Sequence, residues 1–72
     1  MATVLVVGRG GREHVISKQF LKSKQVTTVY CAPGNPGMLQ DKIHLVPINE
    51  LAFPELIAFA QQQQIDLTFV GP

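Results

Sequence analysis

A glycine-rich turn near the start of the chain carries side chains that can bind charge. The segment reads Gly8-Arg9-Gly10-Gly11-Arg12-Glu13-His14 and follows the apolar run Val4-Leu5-Val6-Val7. A strand that enters a helix through such a turn directs several backbone N–H groups at one point, with the positive end of the helix dipole behind them. We therefore predict an anion site, most often a phosphate site, with a purely structural turn as the alternative.

Three side chains of this segment are candidate ligand contacts, and a fourth favours the start of the helix. Arg9 and Arg12 can pair with a phosphomonoester, which carries a charge of about −1.5 to −2 at neutral pH. His14 falls on the first turn of the expected helix, where it either contacts a ligand or packs and caps. Glu13 favours the helix start through the dipole. The sequence shows no Ser/His/Asp set, no metal-ligand cluster and no second carboxylate at suitable spacing, so it predicts binding and no catalytic residue.

The elements that must position these residues follow from the hydrophobic pattern. β-branched and apolar runs predict strands at residues 3–7, 26–32, 43–46 and 65–70. Helical spacing of apolar residues predicts helices over residues 11–23 and from Pro54 to the glutamine run 61–64, with Asn49 as a possible cap, and residues 38–42 suggest a short helical turn. Alternating strands and helices favour an α/β fold.

The expected architecture is half of a Rossmann-like fold. It has a four-stranded parallel sheet in the order 3-2-1-4, with helices on its faces and right-handed crossovers. The carboxyl ends of parallel strands meet at one edge, so loops far apart in sequence converge there. We expect the segments 8–12 and 33–37 and the pair Gly71-Pro72 to border one crevice between strands 1 and 4.

A dinucleotide site fits the sequence less well. Glu13 stands where the fingerprint G-x-G-x-x-G requires its third glycine. The end of strand 2 reads Cys31-Ala32-Pro33 and lacks the acid that binds ribose hydroxyls in such sites. A dehydrogenase is therefore disfavoured, and a stand-alone nucleotide- or dinucleotide-binding module stays open as the alternative.

Length and composition restrict the class of protein. Seventy-two residues form one small domain, residues 1–72, and a net charge of +1 from scattered residues argues against a nucleic-acid or membrane partner. No stretch reaches the roughly 18 apolar residues of a membrane span, and no basic segment precedes the first apolar run, so we expect no signal peptide and a cytoplasmic location. The single cysteine, Cys31, is expected to be a small hydrophobe.

Three segments together resemble one enzyme family. Residues 4–14, the Ala-Pro-Gly-Asn-Pro-Gly of 32–37 and the Ile-Asp-Leu-Thr-Phe-Val-Gly-Pro of 65–72 are similar to the N-terminal, pre-ATP-grasp domain of phosphoribosylamine–glycine ligases, which belong to the ATP-grasp superfamily. The resemblance spans the whole chain. It implies an enzyme that joins glycine to 5-phosphoribosylamine in de novo purine synthesis. By this resemblance, ATP and magnesium would activate glycine as an acyl phosphate, and the sugar amine would attack it and release phosphate.

The resemblance also implies roles for individual residues. The N–H groups of Gly8, Gly10 and Gly11 would lie near the sugar phosphate, and Arg12, Glu13 and His14 would line the same rim. The loop of Pro33, Gly34 and Asn35 would face them. Gly71 and Pro72 would close the crevice. A phosphate role for Arg9 is not a family trait. ATP and Mg²⁺ would be held by the rest of the ligase chain, so we expect these 72 residues alone to be inactive. The free edge of strand 4 would allow self-association.

Overall fold

A computed structural model describes residues 2–70 of the chain as a single α/β unit. The elements are, in order, β1 (Ala2–Gly8), α1 (Gly11–Leu21), β2 (Val26–Pro33), a 3₁₀ helix (Pro36–Asp41), β3 (His44–Leu45), α2 (Phe53–Gln62) and β4 (Leu67–Val70). All strand pairs are parallel, and the sheet order is β3-β2-β1-β4. The predicted fold class and strand order are confirmed.

Strand β1 lies at the centre of the fold because its residues are apolar on both faces. Its segment from Val4 to Val7 is buried throughout, and it pairs with β2 on one side and β4 on the other. A continuous apolar run, rather than an alternating one, is typical of a parallel strand covered on both sides. The turn after Gly8 therefore begins from a strand that is buried on both faces and paired on both sides.

The core consists of two layers, one on each face of the sheet. Alternate side chains of β1 enter different layers, because successive residues of a strand point to opposite faces. Val4 and Val6 pack on the α1 side with Met38 of the 3₁₀ helix, whereas Leu5 and Val7 pack on the α2 side. Both helices are thus held against the strand whose end forms the turn.

Local hydrogen bonds set the element ends differently from the sequence prediction. Helix α1 ends at Leu21 rather than near residue 23 because the amide of Ser23 bonds the Phe20 carbonyl at 3.0 Å, which tightens the last turn. Asn49 does not cap α2: Ala52 holds that position. The Asn49 side chain instead accepts a bond from the Leu51 amide at 2.8 Å, which forms a turn ahead of the helix.

The single thiol is part of the core. Cys31 is fully buried, and its Sγ donates to the Gly8 carbonyl at 3.4 Å. Burial raises the pKa of the Cys31 thiol to about 11, so the group stays protonated at neutral pH. It behaves as the small hydrophobe that the sequence predicts. In the part of the chain described, no helix is both long enough and apolar enough to cross a membrane.

Removing core volume under the turn should destabilise the whole chain. Leu5 is 1% exposed, and Leu5→Ala is expected to lower the free energy of unfolding by about 2–5 kcal/mol because it leaves a cavity. Leu39→Ala is the matched control, since Leu39 is 62% exposed, and it should change stability by less than about 0.5 kcal/mol. Urea unfolding followed by circular dichroism measures both, and equal effects would contradict this description of the core.

Candidate functional site

The turn between β1 and α1 leaves a helix end without side-chain caps. Gly8 has a φ of +145°, a conformation that only glycine adopts without strain. Gly10 is the N-cap residue. It has no side chain that could accept a capping hydrogen bond from the first turn of α1. The first helical bond runs from the His14 amide to the Gly10 carbonyl at 3.2 Å. The amides of Gly11 and Arg12 therefore have no partner inside the helix and are available to an anion.

The loop after β2 is fastened directly to this turn. The Gly34 amide donates to the Gly8 carbonyl at 3.0 Å, and the Asn35 side-chain amide donates to the Arg9 carbonyl at 2.8 Å. Pro33 pairs with Gly8 at the end of the β1–β2 ladder. Two of the three loops expected to converge do so, and their contact occupies the carbonyls of the turn. The third, Gly71-Pro72, lies outside the described residues.

A groove of about 450 Å³ opens beside the turn. The groove lies between the turn, the loop that precedes α2 and the end of β4. Its lining includes Gly8, Gly10, Glu13, Glu50, Phe53 and Val70. Val70 pairs with Val7, so the groove lies over the ends of β1 and β4. A crevice at this place is what the strand order predicts, but among the described residues the segment 33–37 contacts the turn without lining the groove, and the loop at Glu50 lines it instead.

Glu13 lies across the turn rather than away from it. A Cβ on Gly8 would overlap its Cγ and stand 2.6 Å from its Oε1, and a Cβ on Gly10 would stand 3.0 Å from its Oε2. Glu13 is only 8% exposed, and within residues 2–70 its carboxylate forms no hydrogen bond or ion pair. Its oxygens are not sealed in the interior, so they reach the solvent of the groove that Glu13 lines.

Arg9 is engaged by a residue that the sequence analysis did not select. Its Nε and Nη2 donate to the two carboxylate oxygens of Glu50 at 3.0 and 2.7 Å. The bond from Arg9 lowers the pKa of Glu50, and the bond to Glu50 raises the pKa of Arg9. The pair forms an outer wall of the groove, so Arg9 must leave Glu50 before it can bind a phosphate.

His14 faces the 3₁₀ helix rather than the groove. Its Nε2 lies 2.5 Å from Oδ2 of Asp41, and Lys18 approaches the other oxygen of Asp41 at 4.0 Å. His14 thereby ties α1 to the segment after β2. Arg12 is exposed on the first turn of α1 and forms no ion pair with the described residues, so among the four candidate side chains it is the cation with the most freedom to contact a ligand.

Comparison with known proteins identifies relatives across almost the whole chain. The family model described as "Phosphoribosylglycinamide synthetase, N domain" matches residues 2–72. Phosphoribosylamine–glycine ligase of Lactococcus lactis is 55% identical over 69 residues, and that of Listeria monocytogenes serotype 4b is also 55% identical over 69 residues. These matches cover 96% of this chain but only 17% and 16% of the two relatives. The chain thus spans about one sixth of the length of these curated relatives.

The Arg9–Glu50 ion pair can be tested through its effect on titration. Arg9→Ala should raise the pKa of Glu50 toward the ordinary carboxyl range, as followed by NMR of the side-chain carboxyl carbon. Because the folded pKa is the lower one, the pair stabilises the fold above the ordinary pKa, and this contribution is lost as the pH falls through the lowered value.

The neighbouring arginine supplies the control for this titration. Arg12→Ala removes the same charge from the same turn but should leave the pKa of Glu50 where it is, since Arg12 does not contact Glu50. A Glu50 pKa that is the same with and without Arg9 would show that the ion pair does not form in solution.

Proposed function

This chain belongs to the phosphoribosylglycinamide synthetase N-domain family, and from that premise we propose that it supplies the substrate-side domain of a phosphoribosylamine–glycine ligase. The activity proposed for the whole enzyme is the joining of glycine to 5-phosphoribosylamine in purine biosynthesis, in the cytoplasm. In this proposal the groove beside the β1–α1 turn holds the phosphorylated sugar amine, and the rest of the ligase chain supplies the other groups.

The observation that carries the proposal is the uncapped start of α1 at the edge of the groove. A phosphate placed there would accept bonds from the amides of Gly11 and Arg12 and pair with the Arg12 side chain. The loop at Gly34 and Asn35 holds the turn in shape through its bonds to the Gly8 and Arg9 carbonyls. The site is therefore fixed before a ligand arrives, which reduces the entropy lost on binding.

Within residues 2–70 there is no group of three or more His, Cys, Asp or Glu side chains that could hold a metal ion. We propose that the remaining domains of the ligase hold both Mg²⁺ and ATP. The contribution of this chain is to bind and orient the sugar amine, and the 72 residues alone should not perform the ligation.

A stand-alone dinucleotide-binding module is the competing function. The side chain of Glu13 reaches the space over Gly10, which a dinucleotide fold leaves open for close approach of the pyrophosphate. Strand β2 ends at Pro33 and brings no carboxylate to the edge of the sheet. Both features favour a compact phosphorylated sugar over a dinucleotide.

Ligand titration separates the two functions. In the ¹H–¹⁵N NMR spectrum, ribose 5-phosphate should shift the amides of residues 8–14, whereas NAD should not. Arg12→Ala is expected to weaken ribose 5-phosphate binding by about fivefold, because an exposed ion pair contributes at most about 1 kcal/mol. Lys22→Ala, which removes a charge at the opposite end of α1, is the control and should leave the affinity unchanged. Selective binding of NAD would contradict the proposal.

The outer edge of β4 supports a partner proposal. Among residues 2–70, strand β4 pairs with β1 only, and Leu67 and Val70 are 50% and 59% exposed. The Asp66 carboxylate is directed toward β1 and not toward the outer edge, since it accepts a bond from the Thr3 amide at 2.8 Å, so it does little to oppose pairing there. We assign this edge to the remainder of the ligase chain, and expect a second copy to pair there in the isolated 72-residue chain.

Sedimentation velocity over a wide concentration range tests this pairing. The isolated chain should associate reversibly, and Thr68→Lys should shift it to monomer because a charge on an edge strand opposes pairing. Gln62→Lys adds the same charge at the end of α2 and should leave association intact. A monomer at every concentration would contradict the assignment.

A further inference from the structure

The buried carboxylate of Glu13 is the strongest unexplained feature of the groove. It is more than nine-tenths buried, faces the groove and has no partner within residues 2–70. Its oxygens meet water only through the groove, so a ligand that fills the groove displaces this water and must supply hydrogen-bond donors in its place. A bound ligand can supply those donors, whereas a bare anion would be repelled.

A structural role as a helix cap does not account for this arrangement. Glu13 is the third residue of α1, where a capping-box glutamate reaches back to the N-cap amide. Its Oε2 does approach Gly10, yet no bond between its carboxylate and the Gly10 amide is formed. The charge also favours the positive end of the helix, but this long-range attraction leaves the lone pairs of the carboxylate free.

Glu13 supplies a carboxylate near the turn, whereas the end of strand β2 supplies none. In dinucleotide-binding sheets an acid at the end of the second strand binds ribose hydroxyls. Here Ala32 and Pro33 hold that position, and Ala32 is fully buried. Among the described residues that line the groove, Glu13 and Glu50 are the two that carry a carboxylate. The Glu50 carboxylate already accepts two hydrogen bonds from Arg9.

We propose that Glu13 accepts hydrogen bonds from the vicinal 2- and 3-hydroxyl groups of the bound sugar, so that ribose is recognised from helix α1 instead of from the end of β2. This inference rests on the proposed function of the groove. It also orients the ligand: the hydroxyl edge faces Glu13 over the turn, and the phosphate lies outward at the amides of Gly11 and Arg12. A phosphate directed inward would meet the carboxylate.

The test compares three probes on the intact chain by NMR titration. Wild-type protein should bind ribose 5-phosphate more tightly than 2-deoxyribose 5-phosphate, and either of them more tightly than inorganic phosphate. Glu13→Gln keeps the size of the side chain and should weaken ribose 5-phosphate binding about tenfold, since hydrogen bonds to a charged group contribute more than neutral ones. Binding of inorganic phosphate should stay the same or become tighter.

Glu55→Gln is the matched control, because Glu55 occupies the third position of α2 and is exposed. It should leave all three affinities unchanged, and thermal unfolding establishes that both variants are folded. If the Glu13→Gln variant does not fold, the inference is tested by the wild-type protein alone, through its relative affinity for ribose 5-phosphate and 2-deoxyribose 5-phosphate. Equal affinity for these two sugars, or equal weakening of all three probes by Glu13→Gln, would overturn the inference. A wild type that binds no probe would instead overturn the proposed function.

Discussion

The close approach of three chain segments at Gly8 is the constraint on which the site depends. A side chain at this position would overlap Glu13, and the backbone has a φ of +145°. Its carbonyl accepts bonds from the Gly34 amide and the Cys31 thiol. One residue without a side chain therefore lets the chain turn from β1 into α1, seats the loop after β2 and admits the Glu13 carboxylate over the turn.

In the turn, the backbone carbonyls form internal hydrogen bonds, and the first amides of the helix stay available to a ligand. The carbonyls of Gly8 and Arg9 are used internally, by Gly34 and Asn35. The helix amides of Gly11 and Arg12 are not used by the helix. A turn with its acceptors occupied and its donors free attracts anions, and the buried carboxylate beside it attracts donors. A molecule that carries both kinds of group, such as a phosphorylated sugar, suits this combination better than a simple anion does.

Strand positions and loop convergence could be predicted because they depend on local pattern and parallel topology. The apolar run at Val4–Val7 and the glycines that follow it indicate a buried strand and a turn without any knowledge of the rest of the fold. The partners of Arg9 and His14 could not be predicted. Glu50 lies 41 residues from Arg9 and Asp41 lies 27 residues from His14, and the loops that bring them together carry no motif. The direction of Glu13 was equally hidden, because it depends on the space over Gly8.

Anion recognition by backbone groups explains why side chains of the turn can serve other purposes. If Arg9 and His14 were the phosphate ligands, their side-chain contacts with Glu50 and Asp41 would have to break before a ligand could bind. With the helix amides as the principal donors, Arg9 can form an outer wall of the groove and His14 can fasten α1 to the 3₁₀ helix while the site stays open. Selectivity then falls to Glu13, the one groove carboxylate that the fold leaves uncompensated among the described residues. The glycines set the shape of this site, and a single buried charge sets which ligand fits it.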